Sequence, residues 1–199
     1  MRVTRALAAE HRQALLEQAG RLFRGRGIAG VSLAEVARAA GLTHGAFYGH
    51  FASKTALVAE AVQGSLLAGA GHWRRRAAGA RAGGADPLAA IIGGYLTERH
   101  RDAPEAGCAL AALGPEVSRA EAPLADALRE GTEALALVLA EEVAALHPAL
   151  PAAECRGRGL AILAAMTGGL VLARALAADP DASRAALDAA ARAARSAAD

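Results

Sequence analysis

The sequence predicts an all-α protein, and three observations indicate this fold class. Alanine and leucine dominate the chain and β-branched residues are few, which is a composition that favours helices. Apolar residues recur at the spacing of one helical face, as in Leu15, Ala19, Leu22 and Phe23. Most prolines stand at apparent helix boundaries. We therefore expect nine helices, of which the first three form an N-terminal unit distinct from the six that follow.

Glycines and polar caps divide the N-terminal quarter into short helices. The first helix ends at Gly25 and Gly27. Ser32 can cap the second helix, with Glu35 three residues later as its capping-box partner. Gly41 ends this second helix after about two turns.

Thr43 and Ser53 can each cap one further helix. The third helix is expected to be as short as the second, whereas the fourth is long and extends to about Gly79. We therefore assign residues 1–52 to an N-terminal three-helix domain and residues 53–199 to a six-helix domain.

In the rest of the larger domain, prolines and glycines indicate where the predicted helices begin and end. Asp86 and Pro87 form an N-cap followed by proline at the first helical position. The predicted segments are a helix from Asp86 to about Arg101, a short irregular piece between Pro104 and Pro115, a helix from Pro123 to near His147, and helices at about Ala152–Ala177 and Asp181–Ala198.

The second and third helices fit a helix-turn-helix because a tight turn at Gly41 and Leu42 joins them. Val36, Ala37, Leu42 and Phe47 have the spacing to face one another inside such a motif. The pattern therefore favours a DNA-binding unit, whose third helix would enter a major groove.

The third helix carries an unusual concentration of rings, since three of the six aromatic residues of the chain fall between Leu42 and Lys54. Phe47 and Phe51 are predicted to face inward. Short and polar side chains on the outward face suit entry into a major groove. The predicted outward set is Thr43, His44, Gly45, Tyr48 and His50.

Each outward residue is assigned a candidate role. Tyr48 and His50 can donate hydrogen bonds to phosphates, although Tyr48 could instead only pack as a half-buried ring. His44 is a candidate for a base edge or an ordinary surface histidine, and Gly45 lets the backbone approach DNA closely. Substitution of Thr43 is expected to alter which DNA sequence the protein prefers.

Two residues outside the third helix are also candidate phosphate contacts. Ser32 can reach a phosphate with its hydroxyl, or it can serve only as a cap. Lys54 lies in the first turn of the fourth helix, where the helix N-terminus itself attracts phosphate.

The segment "VSLAEVARAAGLTHGAFYGHFASKTALV", Val31 to Val58, closely resembles the DNA-binding signature of the TetR family of transcriptional repressors. This resemblance implies an N-terminal three-helix reader, a helical ligand-binding and dimerisation domain, and a homodimer that binds an operator in double-stranded DNA. A weaker resemblance covers "GCALAALGPEVSRA", Gly107 to Ala120, which is similar to a segment in the ligand domains of some members.

Charge is distributed unevenly along the chain. Residues 1–55 hold eight Lys and Arg against three Asp and Glu, whereas residues 56–199 are net acidic. A basic N-terminal quarter predicts an anionic partner for that part only.

The larger domain offers candidate residues for a small-molecule cavity. Apolar, aromatic and sulfur-containing side chains are most simply core residues, but in a domain this poor in rings they are also natural cavity linings. These candidates are Trp73, Tyr95, Cys108 and Met166, with Arg99 and His100 as acceptors for an anionic group. Cys108 is either a small buried hydrophobe or a thiol sensor.

No pattern in the sequence predicts catalysis, a cofactor or a metal ion. "GRGIAG", Gly25 to Gly30, matches GxGxxG but follows a helix rather than a strand. His72, His100 and His147 are scattered along the chain. We therefore expect a protein that is not an enzyme.

The sequence also predicts a cytoplasmic protein without a membrane span. Its two cysteines fit a reducing compartment, and the N-terminus lacks the apolar core of a signal peptide. The longest uncharged run, Gly159 to Ala173, is short for a span and rich in glycine and alanine.

Two hypotheses for function follow. The first is a ligand-responsive repressor that binds a palindromic operator as a dimer and is released by a small molecule. The alternative is a helical carrier or enzyme whose N-terminal unit is only structural. The basic charge confined to residues 1–55 favours the first hypothesis. The sequence alone identifies neither the effector nor the operator, and it does not distinguish a repressor from an activator.

Overall fold

The computed structural model describes residues 5–120 and 122–199, and within these ranges the chain forms ten α-helices, one 3-10 helix and no strand. The all-α prediction is confirmed. The helices are α1 (Arg5–Arg26), α2 (Leu33–Ala39), α3 (His44–Phe47), α4 (Lys54–Ala82), α5 (Pro87–Tyr95), α6 (Glu98–Asp102), the 3-10 helix Pro104–Ala106, α7 (Ala109–Val117), α8 (Leu124–Leu146), α9 (Ala152–Ala175) and α10 (Pro180–Ser196).

The body of the larger domain is a row of four long helices. Helix α4 packs against α8, α8 against α9, and α9 against α10. The 29 residues of α4 span about 43 Å. Because α4 also contacts α1, it connects the N-terminal unit to this row.

Two glycines of α9 let it approach its neighbours closely. A Cβ atom on Gly159 would lie 2.8 Å from the Ala136 carbonyl oxygen of α8. A Cβ atom on Gly169 would lie 2.0 Å from that of Ala190 on α10. The small residues that made this helix look apolar on every face thus permit close packing on two sides.

Helix α9 is long and apolar enough to cross a membrane when only length and composition are considered. It nevertheless packs between α8 and α10, and its fully buried side chains include Ile162, Met166 and Leu170. It is therefore placed as a core helix of the row.

The prediction of one helix from Asp86 to Arg101 is wrong. The chain leaves helical geometry at Leu96, and Thr97 then caps a separate helix by accepting a hydrogen bond from the backbone N–H of His100 at 3.1 Å. The break turns the side chain of His100 back toward the Tyr95 carbonyl oxygen, 2.8 Å away. It accounts for the difference between nine predicted and ten observed α-helices.

Candidate DNA-binding surface and internal cavity

The helix-turn-helix is anchored by two stacked phenylalanines. Phe47 is completely buried and Phe51 almost so, and their ring centroids lie 5.7 Å apart. The Arg12 guanidinium of α1 lies 4.6 Å above the Phe51 ring and pairs with Glu60 of α4. Both rings face inward, as the sequence predicts, and they fix α3 against α1 and α4.

The turn between α2 and α3 depends on Gly41. This residue has φ of +72°, a conformation that glycine adopts without strain. The N–H of Leu42 then donates to the Ala37 carbonyl oxygen at 2.8 Å, which closes the end of α2.

Helix α3 presents polar groups on the side opposite its phenylalanines. Thr43 caps the helix by accepting from the N–H of Ala46 at 3.3 Å. His44 and Tyr48 are exposed, Tyr48 by 60%, and their rings meet edge to face at 5.5 Å. A Cβ atom on Gly45 would meet nothing within 4 Å, so this face is open.

The regular part of α3 is shorter than the predicted Thr43–His50 segment. It ends at Phe47 and continues as a turn, in which the N–H groups of His50 and Phe51 both donate to the Phe47 carbonyl oxygen. The half-buried His50 ring lies 6.2 Å from that of His11 on α1. His50 therefore sits at the rim of the open face rather than in its centre.

Ser32 forms the predicted capping box with Glu35. Its hydroxyl accepts from the N–H of Glu35 at 3.2 Å, and the Glu35 carboxylate accepts from the backbone N–H of Ser32 at 2.8 Å. Arg26 also pairs with Glu35, at 2.9 Å. The backbone and side-chain hydrogen bonds from Ser32, followed by that from Arg26, lower the pKa of Glu35 to about 2.

Lys54 occupies a different environment from the predicted phosphate contact. Its ammonium donates to the carbonyl oxygens of Ile28 and Val31, both at 2.6 Å, and lies 5.9 Å from the centre of the Phe23 ring. The first turn of α4 thereby holds the loop between α1 and α2. This geometry favours a positioning role, and direct contact of Lys54 with DNA stays a prediction.

A cavity of about 580 Å³ lies in the larger domain between α4, α5, α6 and the segment around Cys108. Its lining includes five of the six predicted ligand residues, namely Trp73, Tyr95, Arg99, His100 and Cys108. Met166 is fully buried and lies outside this lining, so it belongs to the packed core.

His100 lines the cavity, and both nitrogens of its ring already have backbone partners. Its Nε2 accepts from the N–H of Cys108 at 3.0 Å, which leaves Nδ1–H to donate to the Tyr95 carbonyl oxygen. Burial has the largest effect on His100 and lowers its pKa. The hydrogen bond with Tyr95 raises the pKa by a smaller amount, and nearby Arg174 lowers it further. This geometry favours a structural role, and contact of His100 with an anionic group stays a prediction.

The Tyr95 hydroxyl is buried close to Cys108 and Thr167, yet it makes no hydrogen bond of normal geometry within the described ranges. The Thr167 hydroxyl is likewise without such a partner there. Burial, followed by the Cys108 thiol, raises the pKa of Tyr95 well above its ordinary value.

Sequence reasoning missed Arg24, which lines the cavity from α1. Its guanidinium donates to the Ser65 hydroxyl of α4 and, through Nε and Nη2 at 3.0 and 2.7 Å, to the Glu105 carbonyl oxygen. The spacing of the first helix assigns Arg24 to a polar face, so no sequence signal pointed to this inward position. The missed basic residues of the same lining are His72 and Arg76.

Comparisons with known proteins agree with this architecture. Residues 15–61 match the sequence profile described as bacterial regulatory proteins, tetR family. The HTH-type transcriptional regulator AcrR of Shigella flexneri is 48% identical over 59 residues, which are 30% of this chain and 27% of that protein. The regulator TtgR of Pseudomonas putida is 45% identical over 58 residues, which are 29% and 28% of the two chains. The matched part thus spans little more than a quarter of these relatives.

Solved structures resemble the whole chain. The transcriptional regulator of the TetR family from Cytophaga hutchinsonii superposes with a TM-score of 0.73 over 95% of both chains at 18% identity. The reduced form of Escherichia coli NemR superposes with a TM-score of 0.71 over 90% of this chain and 94% of that chain at 20% identity. At these identities the likeness shows the fold alone.

The fold and the exposed α3 define a helix-turn-helix protein with an attached helical domain. Residues 15–61 thus carry the DNA-binding region of the TetR family of bacterial regulatory proteins, and the chain as a whole shares the fold of solved regulators of that family.

Proposed function

We propose that this protein is a dimeric transcriptional repressor whose binding to a palindromic DNA operator is weakened by a small molecule in the cavity. The observation that carries this proposal is the open polar face of α3, with His44, Gly45 and Tyr48 exposed above the buried Phe47. A major groove admits an α-helix, and polar side chains there can read base edges.

The charge of the N-terminal quarter supports DNA as the partner. Residues 1–55 carry a formal net charge of +5, whereas the chain as a whole carries +2. Cationic side chains release counterions from DNA and supply most of the sequence-independent affinity. A purely structural N-terminal unit, as in the carrier or enzyme hypothesis, gives no reason for this distribution.

An exposed apolar stripe on α9 supports dimerisation. Leu160, Val171 and Leu172 of this core helix are each more than 40% exposed, and so is Leu176, which directly follows its last residue. An exposed stripe of this kind marks an interaction surface, and pairing with the same helix of a second copy would cover it. We expect α9 and α10 of two copies to form a four-helix interface.

The dimer proposal is tested by sedimentation of Leu172→Glu. Leu172 is 58% exposed, and a Cβ atom on Gly168 beside it would meet nothing within 4 Å, so the charge should separate the subunits without unfolding them. Leu67→Glu on α4, at a leucine that is 47% exposed, is the matched control. A wild-type monomer at micromolar concentration would refute the proposal.

Two connections make the cavity a suitable control point for the DNA-binding unit. Helix α4 starts beside α3 and lines the cavity at Trp73. Arg24 of α1 lines the same cavity and bonds to the Glu105 carbonyl oxygen. A ligand that tilts α4 or moves Arg24 would therefore change the separation of the two recognition helices.

The function is tested by selecting bound sequences from random duplex DNA with the purified protein. We expect a palindrome whose half-sites are about 34 Å apart or a multiple of that distance. His44→Ala should alter the selected sequence, whereas Tyr48→Phe should weaken binding to every sequence alike. Enrichment of no sequence would count against the proposal and favour the carrier or enzyme alternative.

Release by a small molecule requires reciprocal titrations. Ligand affinity measured with and without operator, and operator affinity measured with and without ligand, must change by the same factor, typically about 5- to 150-fold. A compound that binds the cavity and changes neither affinity is not an effector. The proposed site of action is the cytoplasm, as for the family.

A further inference from the structure

Basic side chains line the cavity and no carboxylate does. All of the lining residues lie within the described ranges, and the basic ones are Arg24, His72, Arg76, Arg99 and His100. Two of the five are already engaged, since Arg24 donates to Ser65 and Glu105, and both His100 nitrogens hold backbone partners. The charge that remains for a ligand comes chiefly from Arg76 and Arg99.

Arg76 differs from the two arginines of α4 that form ion pairs. Arg74 and Arg81 form ion pairs with Glu141 and Glu142 of α8. The Arg76 guanidinium instead lies against α5, where a Cβ atom on Gly94 would be 2.4 Å from Nη1. Gly94 therefore leaves the space that this guanidinium occupies at the edge of the cavity.

The side chains of Arg76 and Arg99 have no hydrogen-bond or ion-pair partner within residues 5–120 and 122–199. Both are exposed, so each is solvated, and both line one cavity. Two unpaired guanidiniums in a lining that contains no carboxylate favour the binding of an anion there.

Apolar side chains form part of the cavity lining, and Tyr95 adds a buried hydroxyl. Leu66, Trp73, Ile91 and Leu135 contribute apolar surface, and the Trp73 and Tyr95 rings meet edge to face at 5.6 Å. The Tyr95 hydroxyl is buried there without a normal hydrogen bond to the described residues. Buried hydroxyls generally have partners, so this one is a group that a ligand atom can satisfy.

From this arrangement we infer that the cavity binds a small organic anion. Its acid group pairs with Arg76 and Arg99 at the mouth, and its apolar or aromatic body lies against Trp73. The cavity of about 580 Å³ has the size of a small-molecule site. The inference rests on the proposed function in one respect, because it names the chemical class of the effector.

The test compares three molecules of nearly equal shape: 4-phenylbutyrate, 4-phenylbutyramide and 4-phenylbutylamine. Trp73 is the only tryptophan of the chain and lines the cavity, so its fluorescence reports binding directly, and calorimetry gives an independent affinity. We expect the carboxylate to bind at least about tenfold more tightly than the amide, and the amine to bind most weakly.

Two sets of variants test which side chains cause the preference for the carboxylate. The double variant Arg76→Gln, Arg99→Gln should remove the advantage of the carboxylate over the amide. Arg75→Gln, which changes an exposed arginine on the same helix outside the lining, should keep it. Because all three arginines are exposed, each variant is expected to fold, and circular dichroism checks this.

The inference is overturned if the amine or the amide binds as tightly as the carboxylate. It is equally overturned if the carboxylate fails to bind at millimolar concentration, or if its preference survives in the double variant. No DNA is present in these titrations. A protein that prefers the anion but binds no operator would therefore refute the proposed function and leave this inference standing.

Discussion

Replacing Lys54 by methionine distinguishes a positioning role from a phosphate contact. The change removes two hydrogen bonds of 2.6 Å from an ammonium to the Ile28 and Val31 carbonyl oxygens. A hydrogen bond to a charged group contributes about 1.5–3 kcal/mol, and solvent access at this half-buried site reduces the sum to about 2–3 kcal/mol. For a chain of this length, such a loss lowers the melting temperature by about 5–10 °C.

Two assays together give the answer: thermal unfolding followed by circular dichroism, and the salt dependence of operator binding followed by fluorescence anisotropy. The structure predicts a lower melting temperature with a nearly unchanged salt slope, because the ammonium already has protein partners. A phosphate contact would instead reduce the slope by about 1 per half-site.

Tyr48→Phe is the control for this experiment, since the Tyr48 ring is 60% exposed and its hydroxyl makes no hydrogen bond to the residues that the structure describes. That variant should melt like the wild type and bind DNA more weakly. Our reasoning about Lys54 would be refuted if Lys54→Met melted normally and lost about one unit of salt slope per half-site.

Two further predictions concern stability. Gly159→Ala should destabilise the protein by about 1–3 kcal/mol, because its Cβ would lie 2.8 Å from backbone atoms of α8 that cannot give way. Gly64→Ala, at an open and exposed position of α4, should instead stabilise the protein by up to about 1 kcal/mol. Denaturant titrations compare the two variants, and equal effects would contradict the packing described. Because burial lowers the pKa of His100, the neutral form stabilises the fold above pH 6.5 and this contribution is lost as the pH falls through the lowered pKa. The melting temperature of the wild type should therefore fall more between about pH 7.5 and pH 5.5 than that of His100→Asn, and parallel pH profiles would refute this.

The sequence was most informative where structure is local. The capping box at Ser32 and the turn at Gly41 depend on residues within a few positions of each other, and both were predicted correctly. The inward Phe47 and Phe51 followed from helical spacing together with the family resemblance.

Contacts between distant segments could not be predicted in the same way. Lys54 was expected at a phosphate because its place at a helix start is visible in sequence, whereas its partners lie 23 and 26 residues earlier. Arg24 donates a hydrogen bond to the carbonyl oxygen of Glu105, which lies 81 residues later, and no periodicity in the sequence indicates that contact. The break at Leu96 was missed because Thr97, at the end of an apolar stretch, was not recognised as the N-cap of a separate helix.

The claim that α3 enters a major groove is tested most directly by moving one negative charge along the chain. Gly45→Glu places a carboxylate on the open face of α3, and Gly79→Glu places it near the far end of α4, about 38 Å along that helix from its first residue. A Cβ atom at either site would have no neighbouring atom within 4 Å, so both variants should fold. In anisotropy titrations with the selected operator, we predict a loss of about 100-fold or more for Gly45→Glu and near wild-type affinity for Gly79→Glu. Equal affinities of the two variants would contradict the account.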